Sequence, residues 1–464
     1  MFIENVEIID TVEGGKGVAK IDGKAIFVKD AIPGDIVDIE IYKNKKNWSE
    51  ANLMEIKKPS SYRQDPFCKH FNTCGGCRWQ HMTYEGELFF KNKKVVDALE
   101  RIGGLTIQEK RPILANSTDR LYRNKLEFTF SANRWLTNEE VSSGLTFEKN
   151  VLGFHVPRRF DKIFPISECF LQEEPSNAIR NFVYDLAIKE NLSFYNQREH
   201  EGLLRNLIIR TTSTGQVMVV FAFGEPEMDN IEFVLSQLKE NFKEITSLNY
   251  TINQKKNDTL FDQNISCFDG KEFIEEVMHT KTGKKLVFNI GPKTFYQTNS
   301  LQAQKLYEVV NDFAEFNGDE LVYDLYTGAG TIANFVADQV KKVVGIEYVE
   351  SAIEDAKINS INNKIENTEF FAGDMKDLLN EDFIEANGRP DIVITDPPRA
   401  GMHPGVVETI EKMAPNKIVY VSCNASTQAR DVAMLTSYEV CISQAVDMFP
   451  QTDHVENVVL LKRK

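Results

Sequence analysis

Short runs of alternating apolar and polar residues fill the first 58 positions of the chain. Runs such as VEIIDTV, KAIFVK and DIVDIEIY are separated by turn signals, the clearest of which is Pro33-Gly34-Asp35. This period of two predicts four or five short strands, and their spacing favours a small closed barrel of the OB type. Between two runs, YKNKKNW places lysines between Tyr42 and Trp48, which suits stacking on bases and binding phosphates; a solvated hairpin tip would have the same composition.

From Asn299 onward the pattern changes to apolar runs that alternate with amphipathic helical segments. ELVYDLYTGAGTIANFVA predicts a strand reaching Asp324, a turn at Gly328 and Gly330, and a helix, and KKVVGIEYVE then ends a second strand at Glu347. This repeat predicts an α/β fold with a doubly wound sheet. An acid at Glu347 suits hydrogen bonds to both ribose hydroxyls of an adenosine, in a nicotinamide cofactor or in S-adenosylmethionine (SAM).

The fourth strand of this repeat ends in a proline-rich turn. PDIVITDPPRAGM is an apolar run closed by Asp396-Pro397-Pro398-Arg399. Two successive prolines restrict the backbone and remove two amide donors, so the turn forms a rigid wall beside a transferred group. Such a wall is typical of SAM-dependent methyltransferases and has little use in a dehydrogenase. Turnover of a reduced nicotinamide would support the alternative.

The next apolar run, KIVYVSC, ends in Cys423 at the sheet edge where open α/β folds bind ligands. A free cysteine is most often a small buried hydrophobe. A thiol has a chemical purpose here if the methyl acceptor is C5 of a pyrimidine. That carbon becomes nucleophilic only after a nucleophile adds to C6, and a thiolate both adds and leaves readily. His454 and Glu456, just before the last strand, could supply the base for the C5 proton: burial would raise the pKa of Glu456, and His454 could orient it or share the role.

The segment DPFCKHFNTCGGCRWQH contains three closely spaced cysteines, Cys68, Cys74 and Cys77. Cys169, in a second proline-bounded loop, is the fourth cysteine that we nominate. Four cysteines suit either a tetrahedral zinc ion or a [4Fe-4S] cluster, and the spacing leaves both open. The neighbouring histidines, His70 and His81, are predicted to lie on the surface.

Two further strand patterns begin with a basic residue and an asparagine. These are LYRNKLEFTFSA, with Arg123-Asn124-Lys125, and LLRNLIIRTT, with Arg205-Asn206. On paired strands these side chains could line one face and bind phosphates; the alternative is an ordinary exposed sheet face.

The composition agrees with a multidomain globular protein. A chain of 464 residues with 42% hydrophobic and 27% charged residues predicts roughly two to four domains. Seven unevenly spaced cysteines do not indicate a disulfide framework. The formal charge of -15 argues against nucleic-acid binding over the whole surface, although a local basic cleft is compatible with it. MFIENVEIID lacks the features of a secretory signal and no apolar run is long enough to span a bilayer, so a cytoplasmic protein is expected.

Taken together, these motifs resemble the RNA uracil-5 methyltransferases, and more narrowly their iron-sulfur branch that acts on 23S rRNA. The segments that carry the resemblance are the four cysteines, Phe295-Tyr296-Gln297-Thr298-Asn299, Asp324 to Gly330, Asp396-Pro397-Pro398-Arg399, Ser422-Cys423-Asn424 and His454-Val455-Glu456.

The resemblance implies three domains, which are an RNA-binding TRAM barrel (1–58), a central α+β iron-sulfur domain (59–285) and a Rossmann-like SAM methyltransferase domain (286–464). It implies a [4Fe-4S] cluster held by Cys68, Cys74, Cys77 and Cys169. It implies SAM contacts from Gln297, Tyr326, Glu347 and Asp396. In this scheme Cys423 is the nucleophile and Glu456 the base.

Two departures from the family pattern concern substrate and cofactor contacts. Tyr326-Thr327 stands where the family usually has Phe-Cys, and a tyrosine can still flank the adenosine. The segment from Asn133 to Asn150 is longer and more polar than expected, which could alter RNA contacts.

The substrate class follows from the resemblance. The related tRNA uracil-54 enzymes typically lack both the barrel and the cysteine cluster, which favours 23S ribosomal RNA as the partner. The alternatives are a tRNA uracil-5 methyltransferase, an RNA cytosine-C5 methyltransferase, which would normally have Pro-Cys where Ser422-Cys423 stands, and a non-enzymatic RNA-binding or redox-sensing iron-sulfur protein. Nothing in the sequence calls for more than a monomer.

Overall fold

The computed structural model describes residues 1–157 and 159–464, and its N-terminal unit is a six-stranded barrel. The strands are β1 (Phe2–Glu7), β2 (Asp10–Val12), β3 (Lys16–Ile21), β4 (Lys24–Val28), β5 (Ile36–Asn44) and β6 (Trp48–Lys58), in the order β1-β5-β6-β4-β3-β2. The two end strands, β1 and β2, follow each other in the chain, and the Ile9 amide between them donates to the Val18 carbonyl of β3 at 2.8 Å. Alternate apolar residues such as Val28, Val37 and Ile39 fill the interior, confirming the predicted OB-like barrel.

Helix α1 (Tyr84–Asp97), extended by a π-helical turn over Ala98–Ile102, and strand β7 (Ile107–Leu114) connect the barrel to a central seven-stranded sheet. Its strands are β8 (Lys125–Ser131), β9 (Val151–His155), β10 (Ile163–Pro165), β11 (Leu204–Thr211), β12 (Val217–Phe223), β13 (Ile245–Ile252) and β14 (Ser266–Gly270), in the order β10-β9-β8-β11-β12-β13-β14. The helices of this region are α2 (Asn138–Ser143), α3 (Ser176–Lys189) and α4 (Met228–Asn241). Apolar residues of α3 and α4 join those of the sheet in one core.

The C-terminal sheet has eight strands in the order β19-β18-β17-β20-β21-β23-β22-β7. Its strands are β17 (Leu321–Leu325), β18 (Lys342–Glu347), β19 (Thr368–Ala372), β20 (Ile392–Thr395), β21 (Lys417–Ser422), β22 (Tyr438–Val446) and β23 (Glu456–Arg463). The helices are α5 (Ser300–Ala314), α6 (Thr331–Val336, followed by a 3-10 turn over Ala337–Gln339), α7 (Glu350–Asn362), α8 (Met375–Leu378), α9 (Glu381–Asn387), α10 (Pro404–Met413) and α11 (Ala425–Met434). Separate apolar cores on the two faces of the sheet confirm the doubly wound fold.

Strand β7 and the first strand of a later hairpin lie in the predicted central region, 59–285, but pack with the C-terminal sheet. Strand β7 pairs in parallel with β22, which covers the backbone groups that β22 would otherwise leave open at the sheet edge. A hairpin of β15 (Ile274–His279) and β16 (Lys285–Ile290) packs its apolar face into the same core as α5. The domain boundaries predicted from the sequence therefore do not coincide with the boundaries between the packed cores. Within the described part of the chain, no helix combines the length and apolar character needed to cross a membrane.

Arg205-Asn206, one of the two predicted phosphate-binding motifs, is buried and holds neighbouring backbone in place. The Arg205 side chain is 1% exposed, and its guanidinium donates to the carbonyls of Lys255 and Asn257 at 2.7 Å while stacking 4.4 Å from the ring centroid of Tyr195. Asn206 is buried beside it. Both alternatives for this pair, phosphate binding and an exposed sheet face, are therefore wrong.

Candidate active site and cysteine cavity

Most of the residues predicted to take part in catalysis or cofactor binding lie at one edge of the C-terminal sheet. Asp324 and Glu347 end or nearly end the parallel strands β17 and β18, Asp396 follows β20, and Cys423 follows β21. Strand β23 runs antiparallel to β21, so its first residue, Glu456, lies at this same edge. Ser422 is paired with Asn457, which places the next residue out, Cys423, opposite Glu456.

The turn after β17 has the backbone conformation of a ligand-binding loop. Gly328 and Gly330 have φ of 55° and 73°, and Tyr326, which has a side chain, has φ of 64°. A Cβ on Gly330 would stand 2.9 Å from the Cβ of Ala356, so this glycine is also required by close packing. Left-handed backbone at a non-glycine residue is strained and concentrates at functional sites. The strain at Tyr326 agrees with its predicted role beside SAM.

The Glu347 carboxylate is oriented before any ligand arrives. Its two oxygens accept hydrogen bonds from the amides of Gly328 at 3.2 Å and Val349 at 3.0 Å. The side chain is only half-buried, so it can also accept from hydroxyl groups of a ligand.

Three carboxyl groups form an acidic cluster beneath Cys423. Burial raises the pKa of Asp324 to about 7, and one of its oxygens has no hydrogen-bond partner. Burial, followed by the charge of Asp324, raises the pKa of Asp396. Burial, followed by the charge of Asp396, likewise raises the pKa of Glu456. Burial therefore favours the protonated forms of these carboxyls, and a bound cation would favour release of their protons.

The Cys423 thiol lies half-buried next to these groups. Burial, with the charges of Glu456 and Asp396, raises the pKa of Cys423 to about 11, while the charge of Arg399 lowers it. In the free protein this cysteine is a thiol. A base must therefore take its proton before it can act as a nucleophile.

The predicted SAM residue Gln297 is half-buried in a segment that Asn124 holds from the central sheet. The side-chain Nδ2 of Asn124 donates to the Gln297 carbonyl at 2.9 Å and to the Ser300 hydroxyl at 2.8 Å. The backbone amide of Asn124 donates to the Thr298 carbonyl at 2.8 Å. In the Arg123-Asn124-Lys125 motif, the asparagine therefore serves packing between domains rather than phosphate binding.

Sequence reasoning missed a buried ion network that holds the loop before Glu456. The Lys91 ammonium contacts Glu87 at 2.5 Å and Asp447 at 2.7 Å, and all three side chains are fully buried. Tyr84 donates to the second oxygen of Asp447 at 2.7 Å, and Glu87 accepts from the Gln451 amide. The Glu87–Lys91 spacing of four on α1 was a visible signal, but it is equally common on exposed helix faces.

The four predicted ligand cysteines line one cavity of about 140 Å³. Burial raises the pKa of all four thiols, and the charges of neighbouring cysteines add to the rise for Cys74, Cys77 and Cys169. The prediction that the two nearby histidines lie on the surface is wrong: His70 is 9% and His81 4% exposed. The His70 Nε2 accepts a hydrogen bond from the Ser167 backbone amide at 3.3 Å and lies 3.1 Å from the Ser167 hydroxyl, which joins the two cysteine loops. Both His81 nitrogens are buried without partners.

The four thiols of this cavity are a donor set that two different groups use, a zinc ion and a [4Fe-4S] cluster. A zinc ion needs all four sulfurs about 2.3 Å from one point. Among the described residues, no group of three or more histidine, cysteine, aspartate or glutamate side chains is arranged to hold a single ion. Four cysteine thiols are the donor set of a [4Fe-4S] cluster as well as of a zinc ion, and the Arg123 side chain, whose Nε is buried and unpartnered, lines the same cavity.

The chain is similar to known RNA methyltransferases over nearly its whole length. The sequence profile of the tRNA (uracil-5-)-methyltransferase family matches residues 211–464, and that of the TRAM domain matches residues 4–54. An uncharacterized RNA methyltransferase of Porphyromonas gingivalis is 51% identical over 99% of both chains, and one of Bacteroides thetaiotaomicron is 50% identical over 97% of this chain and 99% of its own.

A solved structure extends the likeness to the whole chain. The tRNA (uracil-54, C5)-methyltransferase of Pyrococcus abyssi, in complex with S-adenosyl-L-homocysteine, superposes with a TM-score of 0.76 at 29% identity. The match covers 98% of this chain and 100% of that one, so it takes in the N-terminal barrel. The barrel therefore does not separate this chain from that tRNA enzyme, contrary to the sequence-based expectation.

Proposed function

The chain belongs to the tRNA (uracil-5-)-methyltransferase family of SAM-dependent RNA methyltransferases, and from that premise we propose that it methylates C5 of a uridine in 23S rRNA through a covalent adduct. The observation that carries the proposal is the pairing of Cys423 with Glu456 at the sheet edge beside Asp396. A nucleophile and a buried carboxyl at adjacent positions match the two roles that C5 methylation requires.

The reaction follows from these groups. The Cys423 thiol first gives its proton to the Glu456 carboxylate, which passes it to solvent, and the resulting thiolate adds to C6 of the uracil. The electron pair displaced toward C5 and O4 makes C5 nucleophilic. C5 then takes the methyl group from the sulfonium, leaving S-adenosyl-L-homocysteine. The Glu456 carboxylate removes the C5 proton as the C6–S bond breaks, which returns the Cys423 thiolate and the methylated uridine. Glu456 afterwards releases that proton to solvent.

The SAM contacts proposed are Gln297, Tyr326, Glu347 and Asp396. The pre-oriented Glu347 carboxylate supports a ribose contact, and the strained turn at Tyr326 supports close approach of the adenosine. The positive sulfonium beside Asp396 would lower the pKa of the acidic cluster and so prepare Glu456 to accept a proton.

For the RNA, we propose that the barrel binds the strand and that the target uridine lies in a loop or is flipped out, because C5 is otherwise stacked. At the barrel tip, the Lys43 ammonium lies 4.7 Å from the ring centroid of Trp48, an arrangement suited to a base and a phosphate. We expect a monomer acting in the cytoplasm.

We further propose that Cys68, Cys74, Cys77 and Cys169 hold a [4Fe-4S] cluster with a structural role. The cavity that all four cysteines line supports it. Anaerobic purification should give about four iron and four sulfide per chain and a broad absorbance near 400 nm. A Cys77→Ser variant should lose both, whereas Cys267→Ser, far from the cavity, should keep them. Stoichiometric zinc without sulfide would contradict the proposal.

The test of function is tritium release from C5-tritiated uridine in unmodified 23S rRNA, with tRNA transcripts in parallel. We expect SAM-dependent release from ribosomal RNA by the wild type and by Cys441→Ala, a matched control in β22, and none by Cys423→Ala. Release from tRNA alone would retain the mechanism and overturn the substrate. Methylcytosine in the product would indicate the cytosine-C5 reaction instead.

A further inference from the structure

The turn between β2 and β3 of the barrel contacts the catalytic loops directly. The Glu13 carboxylate pairs with the Arg399 guanidinium at 2.5 Å, and the Gly14 amide donates to Asp453 at 2.7 Å. Below the turn, Lys93 of α1 joins Asp10 of the barrel at 2.5 Å. The barrel turn therefore lies against the rim of the candidate active site.

Arg399 is the last residue of the proline turn that borders Cys423. Its carbonyl accepts from Asn424 and from Thr427, each at 3.2 Å, so its backbone is tied to the start of α11. Its side chain is 53% exposed and can therefore reorient. The charge of Arg399 also acts on the Cys423 thiol, which agrees with a short distance between them.

Another anion can easily replace Glu13 as the partner of Arg399. Both members of the pair are largely exposed, with 65% of the Glu13 side chain accessible, and ion pairs of this kind contribute little to stability. A guanidinium binds phosphate in a bidentate geometry that favours phosphate over a single carboxylate oxygen. Any uridine whose C6 reaches Cys423 must bring its own phosphates within one nucleotide of that thiol.

We propose that Glu13 occupies Arg399 in the free enzyme and that a phosphodiester of the substrate RNA, next to the target uridine, replaces Glu13 on Arg399 during binding. The interaction surface is thus the rim formed by the barrel turn and the proline turn, and the barrel carboxylate acts as a competitor for the RNA. This inference rests on the proposed function, since it takes RNA as the substrate.

The test is a double-mutant cycle on RNA affinity, measured by filter binding of unmodified 23S rRNA, or of the tRNA transcript if only that releases tritium, over a range of salt. Glu13→Gln should tighten binding by up to about fivefold, the range of an exposed ion pair. Arg399→Gln should weaken binding and lower the salt slope by about one. In the Arg399→Gln background, Glu13→Gln should change nothing. Glu7→Gln, an exposed barrel acid, controls for charge alone.

Equal tightening by Glu13→Gln in both backgrounds would overturn the exchange, because Glu13 would then act only through general repulsion. No effect of Glu13→Gln in the wild-type background would also overturn it. If the wild type releases tritium from neither RNA, the proposed function has failed; if it releases tritium and the cycle is additive, only the exchange has failed.

Discussion

The buried ion network of Lys91 gives a quantitative test of how the active-site loop is held. Lys91→Met removes the ammonium but leaves Glu87 and Asp447 facing each other in a fully buried space. Leaving a buried charge without its partner costs about 3–5 kcal/mol. Because Asp447 and Gln451 belong to the loop before Glu456, we expect the interface between α1 and this loop to open first.

Urea unfolding followed by tryptophan fluorescence measures this effect. Trp79 is 1% exposed and its amide donates to the Gln451 carbonyl at 3.1 Å, so its emission reports on this interface. We expect Lys91→Met to lower the free energy of unfolding by about 3–5 kcal/mol. Lys281→Met, which breaks the exposed pair with Asp312, should change it by about 1 kcal/mol or less.

The cause of the destabilisation can be checked separately. If it comes from uncompensated carboxylates, adding Glu87→Gln and Asp447→Asn to Lys91→Met should recover part of the lost stability. The deficit of the single variant should also shrink as the pH falls from 8 to 5, because Glu87, whose pKa is raised by burial, then takes up a proton. A single variant within 1 kcal/mol of the wild type, or a triple variant less stable than the single one, would refute this reasoning.

Three other predictions follow from the site. Asn124→Ala removes two hydrogen bonds to the 297–300 segment and should weaken the binding of S-adenosyl-L-homocysteine roughly tenfold. Calorimetry measures this affinity, and an unchanged value would show that Asn124 does not position the cofactor-binding segment. The raised pKa of Glu456 means that the folded state keeps a proton the unfolded state has lost, so this group lowers stability as the pH rises from about 5 to about 8. Glu456→Gln should flatten that part of the Tm profile, and an unaltered slope would exclude the burial effect. Gly345→Ala would place a Cβ 2.5 Å from the Phe370 ring and should cost about 1–3 kcal/mol in urea unfolding. A variant as stable as the wild type would contradict this packing.

Local sequence patterns predicted much of the site. The strand-to-turn transitions at Asp324, Glu347, Asp396 and Cys423 depend on short apolar runs followed by turn residues, which can be recognised within a dozen positions. Parallel strands bring their carboxyl ends to one edge, so these four residues were expected to meet there.

The predictions that were wrong concern burial. Arg205, His70 and His81 are polar residues in strand or loop patterns, and such patterns normally indicate exposure. Each is buried because another segment folds over it; for Arg205, the carbonyls of residues 253–257 replace water around the guanidinium. A local sequence pattern does not show which distant backbone segment will pack over it.

By itself, the sequence determined the barrel, the α/β repeat and which residue types stand at the ends of its strands, because propensity, turn chemistry and period act between near neighbours. Only the tertiary structure decided that β23 enters the sheet antiparallel between β21 and β22 and so brings Glu456 opposite Cys423. It also decided that β7 completes the sheet and that Lys91 neutralises a carboxylate more than 350 positions away. The alternation of apolar and polar residues along a strand shows which side chains share a face. It does not show which strand will be the neighbour, because that choice depends on the free energy of burying surfaces that meet only after the whole chain has folded.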